Sequence, residues 1–97
     1  MKSIKMNERV GSFAENKDKA RNIRIEEIVP VLKKGEGITL DFSGVESATQ
    51  SFIHALISEI IRTYGVEILD RILFKNCNET VQKIITIVVD YMQESEF

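Results

Sequence analysis

The sequence contains one cysteine, one proline and one histidine in 97 residues. Each scarcity closes off a class of function. With Cys77 alone, no intramolecular disulfide can form, and the amino terminus MKSIKMNERVGSF lacks the roughly 7 to 15 apolar residues of a signal peptide, so a cytoplasmic protein is expected. The longest apolar runs, Ile84-Ile85 and Ile87-Val88-Val89 around Thr86, fall far short of the roughly 20 residues of a membrane span. His54 and Cys77 offer no paired ligand spacing, so no metal is expected. Neither G-x-x-x-x-G-K-[ST] nor G-x-G-x-x-G occurs, which leaves no nucleotide cradle and no expected cofactor. His54 lies three residues after Ser51, on the same helical face, yet the G-x-S-x-G elbow that would orient nucleophile, base and oxyanion donors is missing. No enzyme is expected.

What remains is the composition of one globular domain spanning residues 1–97, 43% hydrophobic and 29% charged. A chain this short buries only about two-thirds of its unfolded surface. An enclosed reaction cavity is hard to build within it, and exposed surfaces are the expected working parts. The net charge of -2 conceals a polarity, because residues 1–34 hold nine of the 13 Lys/Arg but only five of the 15 Asp/Glu. A solvated mixture of charges is the plainer meaning of that asymmetry, and a docking face the sharper one.

Along the chain, Lys2 to Met6 alternates weakly, as a short edge strand would, leading to a turn at Gly11-Ser12. Asn16 is a helix N-cap, followed by Ala20, Ile23, Ile28, Val31 and Leu32 at near-helical spacing up to the stop at Gly35. Pro30 predicts a kink there, or two helical pieces. Ile38 to Phe42 suits a strand, closed by Ser43-Gly44. Phe52, Ile53, Ala55, Leu56, Ile57, Ile60, Ile61 and Tyr64 give the next helix an apolar stripe wide enough for burial on more than one side, and Gly65 ends it. Ile68 to Phe74 reads as another strand, and Asn78 caps a last helix carrying Val81, Ile84, Ile85, Val88 and Met92. The order βαβαβα implies a small α/β domain with a mainly parallel or mixed sheet covered by helices.

In such sheets the working end lies outside the carboxyl ends of the strands. Asp41 through Ser51 falls there. Ser47-Ala48-Thr49-Gln50 fits a capping box, with Ser47 as N-cap and the helix beginning near Ala48. Thr49 and Ser51 then sit in the first turn, where the helix dipole favours negative charge, so a phosphoryl group on either would be stabilised. Ser and Thr are also common at helix starts simply because they cap.

The stretch LDFSGVESATQSFIHAL resembles the strand, loop and helix of STAS domains, the anti-sigma-factor antagonist fold, whose familiar form reads approximately LDLSGVxxIDSSGLxxL. In that register Thr49 falls on the acidic position, Gln50 on the first serine, Ser51 on the serine phosphorylated in regulated members, and Phe52 on the glycine. ATQSF after DFSGV, together with FAENKDKARNIRI and FKNCNETVQKI, is similar more closely to STAS-like domains of unassigned function found in bacteria and their mobile elements.

The resemblance implies a STAS-like fold and a non-enzymatic regulatory module. Its partner would be a protein, in the classical case a histidine-kinase-like ATPase or anti-sigma-type serine kinase, bound through residues 43–56. Asp41, Ser43, Thr49, Ser51 and Phe52 are the corresponding partner-binding positions, with Ser51 and Thr49 the candidate phosphorylation sites. Phe52 is either an exposed anchor or a core side chain, and its exposure decides between them.

Two other readings stand beside this one. Lys17, Lys19, Arg21 and Arg24 could contact nucleic acid, although Asp18, Glu26 and Glu27 dilute that field. The wide stripe Ile53, Ile57, Ile61 and Tyr64 makes a homo-oligomer an option, with two-sided burial the more economical explanation.

Overall fold

The computed structural model describes residues 2–95, and its organising element is β3 (Ile38–Asp41), where Ile38, Thr39 and Leu40 are all buried. A strand buried on both faces belongs in the middle of a sheet, and β3 lies between β1 (Lys2–Lys5) and β5 (Ile72–Lys75), parallel to both. The register places Ile4, Leu40 and Phe74 in one row across the sheet and Lys5, Asp41 and Lys75 in the next. Ile4, Ile38, Leu40 and Ile72 point into the core. Ser3 and Leu73, on the alternate face, are exposed.

Five α-helices connect and cover these strands among the described residues: α1 (Met6–Val10), α2 (Lys17–Ile23), α3 (Val29–Lys33), α4 (Gln50–Tyr64) and α5 (Glu79–Ser95). The fold is therefore the small parallel α/β domain implied by alternating strand and helix patterns. Helix α4 packs against both α2 and α5. That explains its wide stripe, since Phe52, Ile53, Leu56, Ile57, Ile60 and Ile61 are all buried within the chain. Of the residues Ile53, Ile57, Ile61 and Tyr64 that made a homo-oligomer an option, the three isoleucines are buried within the chain and Tyr64 is exposed. No helix among the described residues is long and apolar enough to cross a membrane.

Several local expectations need correcting. Residues 6–10 form a short helix instead of leading directly to the Gly11-Ser12 turn. The strand expected from Ile68 begins only at Ile72, and a 3-10 turn occupies Val66–Arg71. The four residues of β3 pair only with 72–75, so the earlier positions have no ladder to join. Arg71 instead donates to the carbonyls of Leu32 and Glu36, at 2.6 and 2.8 Å, closing the end of α3.

Pro30 does divide its helix. Arg24–Ile28 widens into a π-helical turn immediately before it, in which the Val29 N–H reaches back to the Arg24 carbonyl. Proline has no N–H to return and its ring crowds the carbonyl four residues earlier; a wider turn relieves both problems.

Candidate functional site

The loop after β3 is anchored at both ends by apolar side chains and pinned between by asparagines. Phe42 and Val45 are buried, and the Val45 N–H bonds to the Phe42 carbonyl at 2.9 Å, closing a tight turn over Ser43-Gly44. Gly44 has φ +82, which that turn requires of its third residue, and an added Cβ would meet Asn7 Nδ2 at 2.9 Å. Asn7 donates to the Gly44 carbonyl at 2.8 Å. Asn76, itself at φ 60, donates to Asp41 Oδ1 at 3.0 Å. Asn78 donates to the Glu46 carbonyl at 2.9 Å, while its own Oδ1 accepts from the Val81 N–H at 2.8 Å and so caps α5.

Asp41 also accepts from the Ser43 N–H at 2.9 Å. The Asn76 amide and this backbone N–H, aided by the charges of Lys75 and Lys5, hold its carboxyl below the usual aspartate range. Asp41 and Ser43 thus share one place, beside a shallow pocket of about 270 Å³ formed with Lys5, Asn7 and Glu8. Asp41 works there as a fastening of the loop to β5. Nearby Cys77 is half-buried, and burial pushes its thiol pKa up, so it is a poor nucleophile.

A second, two-stranded parallel sheet delivers the chain to α4. Its strands are β2 (Phe13–Ala14) and β4 (Ser47–Ala48). The Glu46 N–H bonds to the Ser12 carbonyl at 2.7 Å and the Thr49 N–H to the Ala14 carbonyl at 3.0 Å. Ser47 is consequently held in a strand and is not the N-cap that the S-x-x-Q spacing predicts. The cap is Thr49, whose Oγ1 accepts from the Phe52 N–H at 3.1 Å.

This shift of two residues reassigns the neighbouring hydroxyls. Thr49 is half-buried and its hydroxyl is committed to the cap, whereas Ser51 is exposed in the first turn, its Oγ 3.3 Å from that of Thr49. Phe52 is fully buried at 0% exposure and belongs to the core, so it cannot be a direct partner contact. Its backbone N–H is what Thr49 captures, and its ring seats the first turn of α4 in the core cluster.

Ser51 opens onto a groove of about 600 Å³ between α4 and α5. Its lining includes Gln50, Ser51 and His54 of α4, Ile87 and Tyr91 of α5, and Lys17 at the start of α2. His54 and Tyr91 rings lie 6.4 Å apart at 58°, and His54 Nδ1 is 3.4 Å from Ser58 Oγ. The histidine is therefore engaged with Ser58 and Tyr91. Ile87 and Tyr91 are 42% and 58% exposed, large apolar groups one helical turn apart and off the buried stripe of α5.

A model of the STAS-like domain of unknown function (DUF4325) matches residues 19–82, from within α2 into α5. The chain belongs to this family. No curated protein and no solved structure matches it.

The matched region of this STAS-like domain includes the Asp41 loop and the α4 wall of the groove, and stops before Ile87 and Tyr91. Those α5 residues were missed by sequence reasoning, as were Asn7, Asn76 and Asn78 as loop clamps. Of the four cations considered for nucleic acid, Lys17, Lys19 and Arg21 are exposed, whereas Arg24 donates to the Ala55 carbonyl at 2.7 Å. Among the described residues no group of three or more His, Cys, Asp or Glu could hold a metal.

Proposed function

We propose that this STAS-like domain is a non-enzymatic regulatory module that binds a protein partner through the groove between α4 and α5, with Ser51 as its phosphorylation switch. The observation that carries this reading is the position of Ser51, exposed in the first turn of α4 and bordering the groove that Ile87 and Tyr91 leave open. Exposed aromatic side chains beside a concavity are the anchors from which interfaces draw most of their energy. A dianion on Ser51 would be stabilised by the helix terminus and would change the charge of the docking surface at once.

Family membership is consistent with a regulatory module. The partner class that the classical STAS pattern suggests is a histidine-kinase-like ATPase acting as a serine kinase. The domain itself contributes the hydroxyl and the docking face, and the ATPase contributes nucleotide and catalysis.

The test is calorimetric titration of the full chain with a purified histidine-kinase-like ATPase, with mass spectrometry of Ser51 after ATP is added. Ser51→Asp and Tyr91→Ala should each weaken the complex by about tenfold or more, the scale of a hot-spot loss, while Ser51→Ala binds as the parent does. Unchanged affinity in both Ser51→Asp and Tyr91→Ala would remove the groove from the interface.

A further inference from the structure

The two sides of the groove differ, and their difference specifies what it takes. Ile87, Val88 and Tyr91 make one wall apolar. At the opposite side lie the first turn of α4, the positive end of that helix dipole, and Lys17, the only charged side chain among the described residues lining the groove. Lys17 is exposed and makes no ion pair among the described residues.

Size and spacing narrow the occupant further. A concavity of about 600 Å³ is on the scale of sites that enclose a small set of side chains. Ile87 and Tyr91 stand one turn apart on α5 and are both exposed, so they form an i, i+4 apolar ridge of the kind against which a second helix packs its own ridge.

Resting on the partner-binding reading above, we infer that the groove receives an amphipathic helix of the protein partner, with apolar residues one turn apart seated against Ile87 and Tyr91 and an Asp or Glu directed to Lys17. Lys17 acts as a specificity residue. It adds little affinity of its own, because an exposed pair is screened, but it rejects helices that bring a cation to this side.

The experiment selects helix-constrained peptides of about 15 residues, near the length at which an isolated helix first holds, from a displayed library against the full chain. Binding is measured by fluorescence anisotropy and located by amide shifts of Ser51, His54 and Tyr91. Selected peptides should perturb those amides and be enriched in one acidic position. Lys17→Gln should weaken them about threefold and Lys17→Glu about tenfold, with a second selection on Lys17→Glu turning to basic peptides. Parent-like melting temperatures for both variants would confirm that the fold is intact.

Groove-bound peptides with no acidic preference and no response to Lys17→Glu would overturn the inference while leaving the groove as the docking surface. Failure to select any groove-binding helix would also overturn it, and the ATPase titration with Tyr91→Ala then shows separately whether the partner-binding reading survives.

Discussion

Asn78 is expected to be the most informative single residue for stability, because two elements depend on it through opposite ends of one amide. Its Oδ1 caps α5 by accepting from the Val81 N–H at 2.8 Å, and its Nδ2 holds the loop by donating to the Glu46 carbonyl at 2.9 Å. Loss of an N-cap costs about 1 kcal/mol, and loss of a hydrogen bond to a loop carbonyl about another 1 kcal/mol. Asn78→Ala removes both and should cost about 2 kcal/mol. Asn78→Ser keeps a capping oxygen but is too short to reach Glu46, and should cost about 1 kcal/mol. Urea denaturation followed by circular dichroism measures both, and for a chain of this size each 1 kcal/mol corresponds to a fall of roughly 4 to 8 °C in Tm. Amide exchange separates the two terms. The Glu46 and Thr49 N–H groups, which bond to Ser12 and Ala14, should exchange faster in both variants. A serine variant as stable as the parent, with unchanged exchange at these positions, would refute the loop-clamp reasoning.

Other consequences follow from the same geometry. Thr49→Ala should cost about 1 kcal/mol by removing the cap, whereas Ser47→Ala should cost under about 0.5 kcal/mol; chemical denaturation of the pair distinguishes the two candidate caps. Phe52→Ala should cost about 3 to 5 kcal/mol, enough to lose cooperative unfolding in a domain this small, and Phe52→Leu should retain a sharp transition in a thermal melt. Glu27 accepts two bonds from Arg9, one at 2.6 Å, and the Arg9 guanidinium holds its carboxyl below the usual glutamate range. Because its folded-state pKa is depressed, this pair contributes above about pH 4.3, the ordinary glutamate value, and its contribution is lost as pH falls through the folded value. Arg9 is 45% exposed at the side chain, so the contribution is about 0.2 to 1 kcal/mol, and Glu27→Gln should flatten the acid limb of a stability–pH curve by that amount.

Much of this fold was legible because its signals are local. Asn16, Gly65 and Asn78 end or begin helices where their chemistry says they should, and the wide stripe of α4 announced two-sided packing. The misplaced cap shows where local reading stops. Ser47-x-x-Gln50 is a sound capping box in isolation, but β4 pairs with a strand more than thirty residues away, and that ladder claims Ser47 first. The remote carbonyls that Asn7 and Asn78 hold leave no spacing pattern in the sequence. Ile87 and Tyr91 did leave a faint one: two large apolar residues at i and i+4, off the stripe defined by Val81, Ile85, Val88 and Met92. A single exposed apolar residue means little, but a pair that borders a groove is the surface on which the docking proposal rests.

The proposed switch makes a demand on sign that few other mechanisms make. Thr49 and Ser51 lie two residues apart at the start of α4, yet only one of them can be modified without dismantling the helix start. A phosphoryl group on Thr49 would compete with the Phe52 N–H for the cap oxygen, while Ser51 is exposed at the second position of α4. Negative charge placed there interacts favourably with the helix dipole by about 0.3 to 1 kcal/mol. Ser51→Asp should therefore raise the urea midpoint slightly and at the same time weaken partner binding about tenfold, whereas Thr49→Asp should leave stability level or lower it. A substitution that merely damaged the surface could lower binding, but it would have no reason to stabilise the fold. If Ser51→Asp destabilises the domain, the first turn of α4 is not a site prepared for an anion, and the loss of binding would have to be assigned to local disruption.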